Sequence, residues 1–195
     1  MGRKSNAHQR QQQIIWALYD CLAEKGHEKV TIKEIAARAE LPPGIIHYYF
    51  KSKDEIIANL AEAIVGTYSS LLAAHILKAT SRDQRIEFTI DFIVDTLIFN
   101  RPLNRVFYNL LQMAYEREEL RKIVQKMFKQ YRETIGRVFE EAGTGEQSPV
   151  LGAALVAVTE GFSVQLMVDP DAFRRDEVRR VISQITRDCL AARKQ

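Results

Sequence analysis

Along this chain apolar residues recur every three or four positions, the period of helices buried on one face. Alternating β-branched runs and glycine-rich hairpin signals are scarce, so an all-α fold is expected. The first short amphipathic unit follows Thr31, with Ile32, Ile35, Ala36 and Ala39 on one face at i, i+3, i+4 and i+7. A long helix is expected over residues 54–78, with Ile57, Leu60, Ala61, Ile64, Leu71 and Leu72 on its apolar side, then a break at 80–82. Helices over 85–99, 103–116 and 120–142 follow. Arg101-Pro102 separates the first two, because the residue before a proline disfavours helix, and Gly143-Thr144-Gly145 closes the third. Ser148-Pro149 offers an N-cap and a first-turn proline for a helix to Val168. Asp169-Pro170 ends it, and Val178, Val181, Ile182, Ile185 and Cys189 mark a final amphipathic helix.

Residues 31–53, TIKEIAARAELPPGIIHYYFKSK, carry the densest local signals. Thr31 can accept from an orphan amide as N-cap, and Glu34 completes a capping box. The alanines allow a partner helix to approach closely. Leu41 is an apolar plug in the turn. Pro42 cannot continue a helix, whereas Pro43 suits the first position of a new one. Gly44 leaves that helix start without bulk, so backbone can come near a phosphate or a base edge. Ile46 and Tyr49-Phe50 are expected to pack inward and Ile45, His47 and Tyr48 to face outward, with Lys51 and Lys53 following. Two short helices across a tight break place one helix in the DNA major groove while the other braces it.

This segment resembles the DNA-binding domain of the tetracycline-repressor (TetR) family. Upstream, QIIWALYDCLAEKG (13–26) resembles the family's first helix with its closing glycine; downstream, FKSKDEIIANL resembles the entry to its long fourth helix. EGFSVQLMVDP is similar to its dimerisation helix. The resemblance implies a three-helix helix-turn-helix domain over 1–53 and a helical bundle over 54–195 for ligand binding and dimerisation. It implies DNA contacts from Thr31, Lys33, Pro43, Gly44, Ile45, His47, Tyr48, Tyr49 and Lys53, and no cofactor. Two departures stand out. The family's Gly-Val-Ser turn is here Glu40-Leu41-Pro42, so a positive φ at Glu40 costs on the order of 1 kcal/mol, and the hydroxyl cap is lost. Thr-Leu-Tyr is replaced by Ile45-Ile46-His47; Ile45 cannot donate a hydrogen bond but can touch a thymine methyl, and His47 can contact a phosphate.

Composition is that of a soluble globular chain: 195 residues, 46% hydrophobic and 27% charged. The net charge of +3 is unevenly placed. Residues 1–53 hold nine Lys/Arg against five Asp/Glu, and residues 54–195 hold 19 against 20, giving +4 and −1. The positive end is the one with the helix-turn-helix, which favours a polyanion partner there. MGRKSNAHQRQQQ has no apolar run, so it does not read as a secretory signal. The longest apolar stretch, 150–158, is too short to span a bilayer. Cys21 and Cys189 read as buried free thiols. Cytoplasmic residence without a membrane partner is expected.

Two C-terminal features bear on function. The helix holding Gly152-Ala153-Ala154, Leu155, Val158, Phe162 and Leu166 is apolar nearly all round, so it is either the core helix of a monomer or a pairing helix. The resemblance implies that it pairs with 120–142 and with the same helices of a second subunit, through Val138, Leu151, Leu155, Val158, Phe162 and Leu166. Such a dimer would present two recognition helices to half-sites about one helical turn apart.

Aromatics crowd the middle of the chain, and Phe88 and Phe92 lie on a different side of their helix from Ile86, Ile90, Ile93 and Leu97. This suits either ordinary core or a helix serving core and cavity together. The candidate effector pocket comprises Phe88, Asp91, Phe92, Asp95, Phe107, Tyr108 and Leu111, with Tyr115, Phe128, Tyr131 and Phe162. Asp91 and Asp95 beside the Phe88/Phe92 strip would suit a cationic ligand, unless they are simply solvated.

The expected function is a ligand-responsive transcriptional regulator, a repressor that binds a palindromic operator as a homodimer and is released by a small-molecule effector, apolar or aromatic in character. An activator, or a helix-turn-helix protein without effector, would share this N-terminus. Enzyme motifs are absent: His8, His27, His47 and His75 are dispersed without metal-ligand spacing, and no nucleophile elbow or phosphate-binding glycine loop occurs.

Overall fold

The computed structural model describes the backbone of residues 2–141 and 148–191, with side chains over 6–138 and 150–188. The described residues form helices and no strand: α1 Gly2–Glu24, a 3₁₀ turn His27–Lys29, α2 Ile32–Arg38, α3 Pro43–Tyr49 and α4 Lys53–Ile76. Then come α5 Arg82–Phe92, a π-helical stretch Ile93–Ile98, α6 Arg101–Glu116, α7 Glu118–Glu141, α8 Ser148–Val168 and α9 Arg175–Ala191. The expected glycine break at 143–145 and the Cys189 thiol fall outside the described residues.

The chain gathers into two compact units, one reaching to Val65 and including Arg105–Met127, the other comprising Gly66–Asn104 and Phe128 onward. This division does not follow the expected cut after residue 53, since α4, α6 and α7 each contribute to both units. In the first unit Ile14, Leu18 and Leu22 of α1, Ile35 of α2, Ile46 of α3 and Ile56 of α4 are fully buried. Cys21 is a buried free thiol here, as expected. In the second unit Ile90, Ile93 and Ile98 are buried on α5 and its π-helical continuation, which pack against α8 and α9.

Local chemistry explains where several helices begin. Ser52 Oγ accepts from Glu55 N–H at 3.1 Å, opening α4 one residue before the expected start. Ser81 caps α5 by accepting from Gln84 N–H at 3.2 Å, so α5 starts at Arg82 rather than Arg85. Asn100 Oδ1 accepts from Leu103 N–H at 3.1 Å, so α6 begins at Arg101 and holds Pro102 in its first turn, where a missing amide costs nothing.

The expected uninterrupted helix over 85–99 instead ends in the π-helical stretch. Phe99 N–H donates to Val94 O at 3.2 Å, a spacing of five residues. Asn104 Nδ2 donates to Ile98 O at 2.7 Å, satisfying a carbonyl left at the stretch's end. Periodicity alone does not register a one-residue insertion of this kind. One further expectation is corrected: Lys53–Ile76 and Val150–Val168 are long and apolar enough to cross a bilayer by length and composition. In the fold 33% and 39% of these windows are buried, and their apolar faces supply the core instead.

Candidate nucleic-acid interface and effector region

The turn between α2 and α3 is built by the capping chemistry of its own residues. Thr31 Oγ1 accepts from Glu34 N–H at 3.2 Å, and Glu34 Oε2 accepts from Thr31 N–H at 2.7 Å, completing the capping box. Lys25 also donates to the Glu34 carboxylate. This bond and the Thr31 amide hold the Glu34 pKa down at about 2. At the other end of α2, Leu41 N–H reaches back to Ala36 O (2.9 Å) and Glu40 N–H to Ala37 O (3.1 Å), a Schellman closure. It requires a left-handed residue at position 40, and Glu40 adopts φ 53° there. Pro43 then opens α3 at its first position, and Pro42 ahead of it makes no side-chain cap.

The α3 side chains divide cleanly between core and solvent. Ile46 and Phe50 are buried at 0% and 3% exposure, and Tyr49 is half-buried against the Tyr48 ring, 4.9 Å away edge-on. Pro43, Gly44, Ile45, His47 and Tyr48 all face solvent, Tyr48 at 80% exposure. Lys33 on α2 is half-buried, and Thr31 is exposed, although its hydroxyl is engaged in the cap.

Lys53 sits differently from the expectation of a free phosphate ligand. Its Nζ donates to Val30 O at 2.6 Å and to His27 O at 3.0 Å, tying the start of α4 to the loop before α2. Burial lowers its pKa. Asn109 of α6 is a second tie that the sequence did not point to beyond being an amide on an apolar face. It is 6% exposed, accepts from His27 N–H (2.8 Å) and donates to Leu22 O (3.2 Å) and Arg105 O (2.8 Å).

The expected effector residues do not form one group. Phe107, Tyr108, Leu111 and Tyr115 belong to the helix-turn-helix unit. Tyr108 is 44% and Tyr115 85% exposed, and Tyr115 borders a groove of about 450 Å³ with Gly26, His27, Lys29 and Gln112. Phe88, Asp91, Phe92, Asp95, Phe128, Tyr131 and Phe162 belong to the other unit.

Asp91 and Asp95 are not free carboxylates. Arg179 Nε donates to Asp91 at 2.5 Å and its Nη2 to Glu87 at 2.9 Å, while Arg175 Nη1 donates to Asp95 at 2.6 Å. Acids one turn apart on α5 and its continuation therefore meet arginines one turn apart on α9, and Arg175 also covers the Phe99 ring at 4.7 Å. The helix-by-helix reading missed this pairing because the arginines lie 80 and 88 positions further along the chain.

Two polar groups of the second unit stand out. His75 lies 5.3 Å from the Phe88 ring and 6.4 Å from Phe92, and its buried Nε2 has no hydrogen-bond partner among the described residues. Glu160 of α8 is raised by burial to about 7. Its neighbour Thr159 hydrogen-bonds Tyr131, whose phenol burial also raises.

The expected dimer residues are corrected in phase. Val138, Leu151, Leu155 and Leu166 are 1–7% exposed within the protomer, Val158 is half-buried, and Phe162 packs edge-on against Phe173 at 5.4 Å. The open face of α8 is instead Val150, Ala154, Ala157, Gly161, Val164 and Val168, with Val150 at 72% and Val168 at 85% exposure. Both faces are apolar, so sequence alone does not say which one the protomer covers. Among the described residues no cluster of His, Cys, Asp or Glu is arranged to hold a metal.

Comparison with known proteins bears on this architecture. Residues 14–60 match bacterial regulatory proteins of the tetR family, and residues 82–191, more than half the chain, match the C-terminal region of the BetI-type transcriptional repressors. The chain belongs to the TetR family. It is similar to the regulator BetI of Cronobacter sakazakii, 21% identical over 184 residues, covering 93% of this chain and 91% of that one. Its fold is similar to that of the regulator FadR from Bacillus subtilis, solved with stearoyl-CoA (TM-score 0.75, 19% identity, 89% of this chain and 96% of that one). A TetR regulator from Haloarcula marismortui is similar as well (TM-score 0.76, 17% identity, 91% and 96%). This TetR-family chain is accordingly a ligand-responsive transcriptional regulator that binds DNA through its helix-turn-helix.

Proposed function

We propose that the protein is a cytoplasmic homodimeric repressor whose α3 reads a palindromic operator and whose second unit takes a largely apolar effector. The observation that carries the DNA reading is α3 itself: Ile46 and Phe50 anchor one side in the core, leaving Pro43, Gly44, Ile45, His47 and Tyr48 outward. Ile45 and His47 read bases, Tyr48 and Lys33 hold the backbone, and Gly44 lets the duplex approach. Lys53 has one remaining donor for a phosphate, but its main part is to position the start of α4. The dimer closes through the open apolar stripe of α8, which an isolated protomer would leave in water. The effector's apolar body rests on Phe88 and Phe92, with a hydrogen-bonding group for His75 Nε2. A cationic effector is disfavoured because Asp91 and Asp95 are already paired. The acyl-CoA held by FadR supports an apolar class.

Selection of duplexes from a random pool should return two inverted half-sites about one helical turn apart, and Ile45→Ala or His47→Ala should change the selected bases. Unchanged selection would place base reading elsewhere. Ala157→Glu should give folded monomers by sedimentation that bind single half-sites. Effector binding and operator binding must weaken each other by the same factor; an effector affinity indifferent to operator DNA would remove the repressor reading.

A further inference from the structure

The helix-turn-helix unit carries a basic element that the helix-turn-helix itself does not use. α1 begins at Gly2, well ahead of the segment near Gln13 where its apolar face starts, and Ile14 is its first buried residue. His8, Gln9 and Arg10 are exposed. A helical segment polar all round has no packing reason to persist. Its first turn holds no acid, and the sequence puts Arg3 and Lys4 there, charges that oppose the helix dipole. A polyanion alongside would reverse both penalties.

The charge balance points the same way. No Asp or Glu precedes Asp20, so Arg3, Lys4 and Arg10 stand uncompensated in the sequence. Later in the unit Lys25 is paired with Glu34, Arg38 with Glu24, and Lys53 lies against two carbonyls. Most of the positive excess of residues 1–53 therefore belongs to the first half of α1. Its location is also fixed. Gln13 Nε2 donates to Ala39 O at 2.6 Å, and Arg10 Nη1 donates to Gln13 Oε1 at 2.7 Å. Ala39 closes α2 immediately before the turn into α3, and α1 also packs on α3. From Gln13 back to Gly2 the helix extends ~16 Å at 1.5 Å per residue, starting beside the turn that feeds the recognition helix.

We propose that residues 2–10 of α1 form a second DNA-contacting element that lies along the sugar–phosphate backbone beside each half-site. They supply affinity without reading bases. The inference rests on α3 being the base-reading helix, and the two fail differently.

The test compares Arg3→Gln/Lys4→Gln/Arg10→Gln with the unaltered dimer by fluorescence anisotropy, on a duplex carrying the selected site and an unrelated duplex of equal length, across a salt series. The slope of log K against log salt should fall by about 0.9 for each phosphate no longer neutralised, on both duplexes. The selected bases and the helical content should stay unchanged, since the buried part of α1 begins at Ile14. An unchanged slope overturns the proposal. So does a shift in selected bases, which would mean that α1 acts through the Gln13–Ala39 bond on the turn. Arg10→Lys keeps the charge and should keep the slope; a loss equal to that of Arg10→Gln would also overturn it. If His47→Ala leaves base selection unchanged, α3 is misread whatever α1 does.

Discussion

The pair α2–α3 and the single helix α8 both bury apolar faces, but they are positioned by different means. α2 and α3 are seven residues each, too short to be stable alone, and the residues around them set the geometry locally. Thr31 and Glu34 cap, Glu40 takes the left-handed position, and Pro43 starts the next helix. α8 has 21 residues and is apolar on most sides, so local chemistry says that it is a helix and little about which way it faces. That choice falls to its neighbours. Gly152 lies so close to α7 that a β-carbon there would stand 2.5 Å from Arg132 O and 3.1 Å from Gly136 N.

If this contrast holds, substitutions in α2–α3 act through core anchors and local geometry, and those in α8 through the neighbouring helix. The largest effect is expected at Ile46, fully buried under the recognition helix. Ile46→Ala should cost about 2–5 kcal/mol by urea unfolding; a cost near zero would mean that α3 is not held by the core. Lys53→Ala leaves two carbonyls without their charged donor and should cost about 1.5–3 kcal/mol, with lower affinity for every duplex alike. Full stability combined with a reduced salt slope would restore the simple phosphate role.

Gly152→Ala forces α8 away from α7 backbone and should cost about 1–3 kcal/mol; a neutral result would show that the helix crossing yields freely. Glu160 sharpens the contrast by titration. Its folded pKa of about 7 lies above the ordinary carboxyl value of 4.5, so the folded state holds the proton more tightly and stability falls as pH rises between those values. Glu160→Gln should therefore unfold like the parent at pH 4.5 and be more stable at pH 8 by about 1–2 kcal/mol, after allowance for the exposed part of the carboxyl. The smallest effect is at Glu40, whose φ of 53° glycine would adopt without strain. Glu40→Gly should stabilise by up to about 1 kcal/mol; destabilisation would show that the side chain, not the backbone, sets the turn.

The legible part of the site is the part with short-range causes. Thr31's capping box, the strained φ at Glu40, Pro43 at the head of α3 and the inward turn of Ile46 and Phe50 all depend on residues within a few positions of one another. The dimer face expected from sequence falls on the wrong side of α8 because Leu155 and Ala157 differ little in polarity, and only the helices packed on Leu155 bury it. Asp91 and Asp95 read as open carboxylates because their arginines lie on α9, far along the chain. Lys53 reads as a phosphate ligand for the same reason: its acceptors are the carbonyls of His27 and Val30.

By itself the sequence determined an all-helical chain, the position and turn chemistry of its helix-turn-helix, and the family to which those motifs belong. Helix period, caps and forbidden backbone conformations act over one or two turns, so they are written where they operate. Tertiary structure decided which apolar face of α8 remains open, which cations of the DNA-binding unit are spent internally, and where the π-helical stretch interrupts the helix that begins at α5. Each of these depends on groups distant in sequence coming within hydrogen-bond or van der Waals range, and only the folded chain brings them there.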